Sequence, residues 1–397
     1  MRHAAVALLC CLAVLAACRG RAAAPTPAAG QFSAAAASLG EAELTQLRAD
    51  QPRATVLISP LSFEAALAML SLGARGDTAA NLRSGLRFEA NGLTLPAAAD
   101  AFANLHANLT ASPDVVLNLA DGAWVDRRVA LKPAFAAAQS GPFAAKIADA
   151  DFANPATLGE INGFVSDATK GKIPTILSQL KPADRLVLIN ALYFKGAWAT
   201  PFETTATAAM PFTTAVGQVI LVQTMQRAGK YSYFETPALQ SVALRYKDPR
   251  FELVLLLMKD PKAAPPAGWI TALAPANYHE RQGYVAFPKL DLTWDGDLMS
   301  SLSAVGLATA LGPHADYGGV AAASLSVGQV IHKTRLVVDE AGAEGAAATA
   351  VVMETTALRT PPQATFTFKA DRPFWLLLRE RTTGAPIFVG YVASPNG

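Results

Sequence analysis

The chain has 397 residues, 52% of them hydrophobic, and 33 Lys and Arg against 31 Asp and Glu leave a formal net charge of +2. That composition supplies ample chain for one large core. The balanced charge, with no Lys/Arg cluster interleaved with aromatics, argues against nucleic acid as a partner.

The first residues, "MRHAAVALLCCLAVLAAC", have a short basic start, an apolar core too short to span a bilayer, and small residues before Cys18. Leu15-Ala16-Ala17-Cys18 is similar to a bacterial lipobox, in which cleavage leaves Cys18 as a lipidated N-terminus. The alternative is an ordinary signal peptide cleaved nearby; both export the protein. Arg19, rather than Asp, after the lipidated Cys favours the outer membrane, with the domain on its periplasmic or extracellular face. Cys10, Cys11 and Cys18 all lie in this leader, so the rest of the chain has no thiol for a disulfide, a nucleophile or a zinc cluster. Residues 18–31, "CRGRAAAPTPAAGQ", read as a flexible tether. From Phe32 to Gly397 no repeat or linker divides the chain, which reads as one large domain.

Helical patterns dominate its first third. "SPLSFEAALAML" places Ser59 at an N-cap and Pro60 at the first helical position, with Leu61, Ala65, Leu67, Ala68 and Leu72 on a buried face. "GDTAANLRSGL" predicts a second helix capped by Asp77 or Thr78. A third gathers Leu158, Ile161, Phe164 and Val165, with Gly171 as its stop. Strand patterns follow. "RLVLINALYFKG" is apolar almost throughout, as a central strand covered on both faces would be. "SVALRYK", "FELVLLLMK", "YVAFPKLDL", "VIHKTRLVVDE", "FWLLLRER" and "PIFVGYV" read as further strands, giving an α+β domain.

One stretch stays ambiguous. From Ala343 to Glu354 the run is rich in Ala, the best helix former, yet has no apolar 3.6-residue stripe. Read with period two, Ala343, Gly345, Ala347, Thr349, Val351 and Met353 share an uncharged face, and Glu344 and Glu354 fall on the other. Helix and strand remain open on periodicity alone. Among enzyme signatures there is no GxSxG elbow, HExxH or phosphate loop, so no catalytic residue, metal site or cofactor is assigned.

Five blocks carry a family resemblance in order: "ISPLSFEAALAMLSLGARGDT", "INGFVSDATKGKI", "LVLINALYFKGAW", "VIHKTRLVVDEAGAEGAAATAV" and "FKADRPFWLLLRERTTGAPIFVGYV". Together they resemble the serpins, a serine-protease-inhibitor family, over roughly residues 32–395. The resemblance implies three β-sheets, about nine helices and an exposed reactive loop at about residues 342–362. It implies a monomer that inhibits a serine protease as a suicide substrate, inserting the cleaved loop into the central sheet. The alternative is a non-inhibitory serpin acting as a binding or chaperone-like module. Residue by residue, Glu340, Gly342, Ala343, Glu344, Gly345, Ala346, Ala347, Ala348 and Thr349 match the family's hinge. Ala343 stands where Thr or Ser is common, and Gly345 where Ala is common; both are small and uncharged. Ser59, Ser62, Asn190 and His332 match the shutter, a polar cluster beneath the strands that part. Thr55 stands where an Asn is frequent, which puts one shutter hydrogen bond in doubt. Trp198 matches the breach tryptophan, and Lys289 matches the ion-pair partner of Glu340. Counting from Glu340 places the reactive bond at Thr356-Ala357, which suits an elastase- or subtilisin-like protease. Leu358 and Arg359 are the alternatives, Arg359 inviting a trypsin-like enzyme. The region Leu93–Val115 has no basic cluster, so heparin-like activation is not expected.

Overall fold

The computed structural model describes residues 24–181, 183–343 and 365–396. The first helix, α1, runs from Pro27 to Asp50, so it begins inside the segment read as tether. The signal was Thr26-Pro27: the Thr26 hydroxyl accepts the Ala29 N–H, and Pro27 fills the first helical position. Its inward face, including Phe32, Leu39, Leu44 and Leu47, joins the main core.

Helix α2 (Pro60–Ser71) starts at Ser59 as expected, but the Ser59 side chain makes no capping bond and every residue of the helix is buried. A buried helix needs no amphipathic stripe, which is why its pattern is apolar nearly all round. Helix α3 (Gly76–Gly85) begins at Arg75, before the expected Asp77 or Thr78; Asp77 lies in its first turn. Two more helices, α4 (Leu95–Thr110) and α5 (Pro133–Phe143), pack on this side of the molecule. Helix α6 (Pro155–Ala168) is capped by Asn154 and buries Ile161 and Val165, while Leu158 and Phe164 are half-buried; Gly171, at φ +73°, follows its end. Among the described residues three single-turn α-helices follow: α7 (Trp269–Ala272), α8 (Met299–Leu302) and α9 (Ala308–Leu311).

The strands are β1 (Val56–Ile58), β2 (Val115–Asp126), β3 (Lys146–Ala150), β4 (Leu186–Ala197), β5 (Ala208–Thr213), β6 (Val219–Glu235), β7 (Leu239–Arg245) and β8 (Phe251–Met258). After them come β9 (His279–Pro288), β10 (Leu290–Asp297), β11 (Gln329–Val338), β12 (Gly342–Ala343), β13 (Phe366–Lys369), β14 (Phe374–Glu380) and β15 (Pro386–Val392). "YVAFPKLDL", read as one strand, is two strands in different sheets. Pro288 lacks an N–H for the ladder, and Lys289 alone joins β9 to β10.

One hydrogen-bonded array runs β1-β15-β14-β8-β7-β6-β9-β13, with β5 on β6. The long β6 serves two sheets: its first part pairs with β5 and β9, its last with β7. The separate sheet is β10-β11-β12-β4-β2-β3, giving three sheets in an α+β fold. Its central strand β4 is buried along nearly its whole length, as its continuous apolar run requires. Helix α2 lies against one face. On the other face Ile161 and Val165 of α6 form a second cluster with Ala120, Trp124, Ile189, Ala191 and Ile331.

Candidate functional site

The site is the six-stranded sheet where β4 and β11 meet. These strands are parallel neighbours from Val187–Gln329 to Leu192–Thr334. At the far end β12 lies between them, antiparallel to both, with Ala343 opposite Gly196 of β4 and Val338 of β11. Between these two closures Tyr193-Phe194-Lys195 and Arg335-Leu336-Val337 have no ladder with each other. Ala343 is fully buried, so Gly342 and Ala343, two of the residues expected at a hinge, lie within the end of the sheet.

A tight turn delivers them there. The Asp339 carboxylate accepts the N–H groups of Ala341 (2.8 Å) and Gly342 (3.1 Å), and the Asp339 N–H donates to the Gly342 carbonyl at 2.9 Å. Gly342 has φ +150°, and a Cβ there would lie 2.1 Å from the Gly196 carbonyl oxygen. Only glycine fits that approach. The adjoining segment fixes the turn from outside, since the N–H groups of Trp198 and Phe202 donate to the Ala341 and Glu340 carbonyls, each at 2.9 Å. The Trp198 indole donates to the Asp339 carbonyl at 2.9 Å and stacks on Tyr246 with ring centroids 4.6 Å apart. Trp198, expected at the breach, thus holds the Asp339–Ala341 turn by its backbone and its indole.

Lys289 and Glu340 form an ion pair at 2.9 Å, and the Thr207 hydroxyl donates to the same carboxylate. The Lys289 side chain is 41% exposed but that of Glu340 only 12%, so the pair is less open than a surface pair. Burial pushes the Glu340 carboxyl up, yet the Lys289 and Thr207 hydrogen bonds outweigh it and leave the group below its ordinary range.

Beneath the opening a row of Cα partners crosses the sheet: Asp121 on β2, Asn190 on β4, His332 on β11 and Gly296 on β10. His332 is fully buried, its Nδ1 bonded to Asn190 Oδ1 at 2.9 Å, and its Nε2 accepts the Ser59 N–H at 2.9 Å. That acceptance fixes Nδ1 as the protonated nitrogen. Burial pushes its pKa down to about 3, so the ring is neutral. The Thr334 hydroxyl donates to the Leu57 carbonyl, a further tie between β11 and the layer below.

Of the four residues expected at the shutter, Ser59, Asn190 and His332 are linked by hydrogen bonds, and Ser62 reaches the same row through Asp121. Ser59 acts through its backbone, and its hydroxyl has no partner among the described residues. Ser62 donates to Asp121 Oδ1 at 2.7 Å rather than to the His332–Asn190 pair. Thr55 accepts the N–H groups of Ala393 and Ser394 and donates to the Ser394 carbonyl, so its contacts are with the C-terminal segment. Asp121 was not anticipated, although an acid inside the apolar run "LNLADGAWV" was the available signal. Glu344, Gly345, Ala346, Ala347, Ala348, Thr349, Thr356, Ala357, Leu358, Arg359 and Cys18 lie outside the described residues.

The family model described as Serpin (serine protease inhibitor) matches residues 34–395. An uncharacterized serpin-like protein of Thermococcus kodakarensis is 33% identical over 356 residues, covering 86% of this chain and 81% of its own length. The leukocyte elastase inhibitor of Bos taurus is 29% identical over 387 residues, covering 92% of this chain and all of its own. In fold, human thyroxine-binding globulin complexed with thyroxine matches with a TM-score of 0.83 at 24% identity, covering 93% of this chain and 100% of that one.

Proposed function

We propose that this chain, which belongs to the serpin family, is a serine-protease inhibitor that acts as a suicide substrate rather than as an enzyme. A target protease attacks the loop and forms an acyl-enzyme. The freed loop then enters the sheet between β4 and β11 and drags the protease with it. The observation that carries this reading is Ala343, small, uncharged and buried, paired between those two strands with open edges beyond it. Its pairing is antiparallel to both neighbours, the direction a strand continuing from it would take. About ten inserted residues, at about 0.5–1.5 kcal/mol net per hydrogen bond, would gain on the order of 10 kcal/mol. That rivals the net stability of a domain, so the uncleaved form is a kinetic trap.

The reading extends to target and place. The count from Glu340 favours cleavage at Thr356-Ala357 by an elastase- or subtilisin-like protease, with Leu358 and Arg359 as later choices. The Cys18 sequence supports a lipid-anchored protein on an exported face of a membrane. The test is to mix the purified domain with elastase, subtilisin and trypsin, then look for SDS-resistant complexes and weigh the released fragment. Covalent trapping by elastase or subtilisin with a cut after Thr356 is the expected result. Trapping by trypsin alone after Arg359 overturns the target, and no complex with any enzyme overturns the inhibitor in favour of a binding module.

A further inference from the structure

We infer that Asp121 is a positioning residue for strand parting, and that proton loss from its side chain is coupled to opening of the sheet between β4 and β11. The inference deepens the inhibitor reading, because these are the strands the loop must enter. Its basis is placement. Asp121 is 2% exposed, sits opposite Asn190 in the ladder, and is separated from His332 in that row by Asn190 alone. Oδ1 accepts the Ser62 hydroxyl from helix α2, and Oδ2 has no partner among the described residues. Asn190 Nδ2 and the Ser59 hydroxyl are likewise without partners in the same layer.

A carboxylate held by one neutral donor, away from water, favours its proton. Burial accordingly pushes Asp121 up to about 8, against the Ser62 hydrogen bond, which pulls it down. The titratable groups on the helices packed here are Glu64 on α2 and Asp100 and His106 on α4; on the strands, Asp149 of β3 and His332 of β11 share the face of Asp121 by register, whereas Asp126, Lys146, Lys195, Lys333 and Arg335 alternate to the other face. None of them bonds to Asp121 among the described residues, so no cation is in place to hold its charge. When the strands part, water reaches the row and the proton can leave. Raising the pH from the ordinary carboxyl range to about 8 therefore favours the open form, by at most about tenfold per pH unit, and the effect then levels off.

His332, lowered by burial, acts in the opposite direction only below about pH 6.5, so the window from there to 8 separates Asp121 from His332, and the comparison with Asp121→Asn separates it from Glu64, which burial also raises. Amide hydrogen exchange of β4 and β11 in the intact protein reads the opening without any protease. Corrected for intrinsic chemistry, the opening constant of the parent should rise by up to about thirtyfold between pH 6.5 and 8, the tenfold-per-unit slope over that span. Asp121→Asn should show a smaller rise across the same range, since only Glu64 then remains as a raised acid on this face. Ser62→Ala keeps the acid but removes the bond that lowers it, so its plateau should move to higher pH; a merely structural contact would change the level and leave the midpoint. Parallel profiles in parent and Asp121→Asn, or an unmoved plateau in Ser62→Ala, overturn the inference. Failure to trap any protease would sink the inhibitor reading and leave this test standing.

Discussion

Replacing Ala343 by Arg asks which of two costs the sheet would accept. At present the side chain is fully buried between Gly196 and Val338. Keeping the register would bury an unpaired guanidinium, at several kcal/mol or more. Releasing β12 instead gives up roughly two or three backbone hydrogen bonds, about 1–4 kcal/mol at the usual net value. Release is cheaper, so the variant should fold with its hinge outside the sheet. At roughly 2.1 cal/mol/K of unfolding entropy per residue, that loss lowers the thermal midpoint by only about 1–5 °C. After cleavage the same charge stands at the first inserted position, where release means no insertion. The variant should therefore be cut as a substrate, with the SDS-resistant fraction falling at least about tenfold, a difference of about 1.4 kcal/mol in partitioning. Gel analysis of complex against cleaved product, alongside calorimetry of the cut form, gives both readouts, with Ala343→Thr as the control. Undiminished trapping, or a cleaved variant that gains as much midpoint as the cleaved parent, would refute the reasoning.

Loop cleavage in the parent should raise the thermal midpoint, as calorimetry before and after limited proteolysis would report; an unchanged or lower value removes the insertion mechanism. His332 is held neutral by burial, so a free imidazole above about pH 6.5 has nothing to gain by unfolding. Below that pH the unfolded chain takes up a proton first, and stability is lost at up to about 1.4 kcal/mol per pH unit until about 3. In urea titrations at pH 7.5, 6 and 5, the gap between the parent and His332→Gln should narrow as the pH falls, and a constant gap would contradict the assignment. Lys289→Met should cost about 1–3 kcal/mol in stability, because it leaves the mostly buried Glu340 carboxylate with the Thr207 hydroxyl in place of its cation, while speeding complex formation. Stopped-flow inhibition kinetics decide that point, and a slower variant would mean that the pair guides insertion rather than restrains it.

The parts of this fold that were legible in the sequence are those whose local chemistry agrees with their place. Ser59-Pro60 marks a helix start, and the apolar run of β4 announces a strand covered on both faces. The pairings His332–Asn190 and Lys289–Glu340 join residues far apart in the chain, and only the family resemblance brought them together. Where local signals were ambiguous, geometry decided. Thr26-Pro27 lies in an Ala-rich stretch whose local pattern reads as tether, and packing of Phe32 and Leu39 makes it the start of a helix instead. Pro288 ends one strand only because Lys289 turns the chain into another sheet, a tertiary fact with no periodic signature. An isolated acid in a strand ordinarily faces solvent, and the burial of Asp121 follows from α2 covering that face.

The short strand β12 also bears on how fast the sheet can be filled. Joining two distant segments costs loop-closure entropy before any pairing rewards it. With Ala343 already seated, that cost precedes the encounter with a protease, and each later residue adds a rung beside one already formed. Strand addition in such a chain begins at propagation instead of nucleation. On the insertion proposed above, the rate would be governed by unzipping the six rungs from Leu192–Thr334 back to Val187–Gln329, so insertion should proceed without a lag. Its temperature dependence should follow the breaking of those rungs, and the composition of the incoming segment should alter the rate less than the strength of the β4–β11 ladder does.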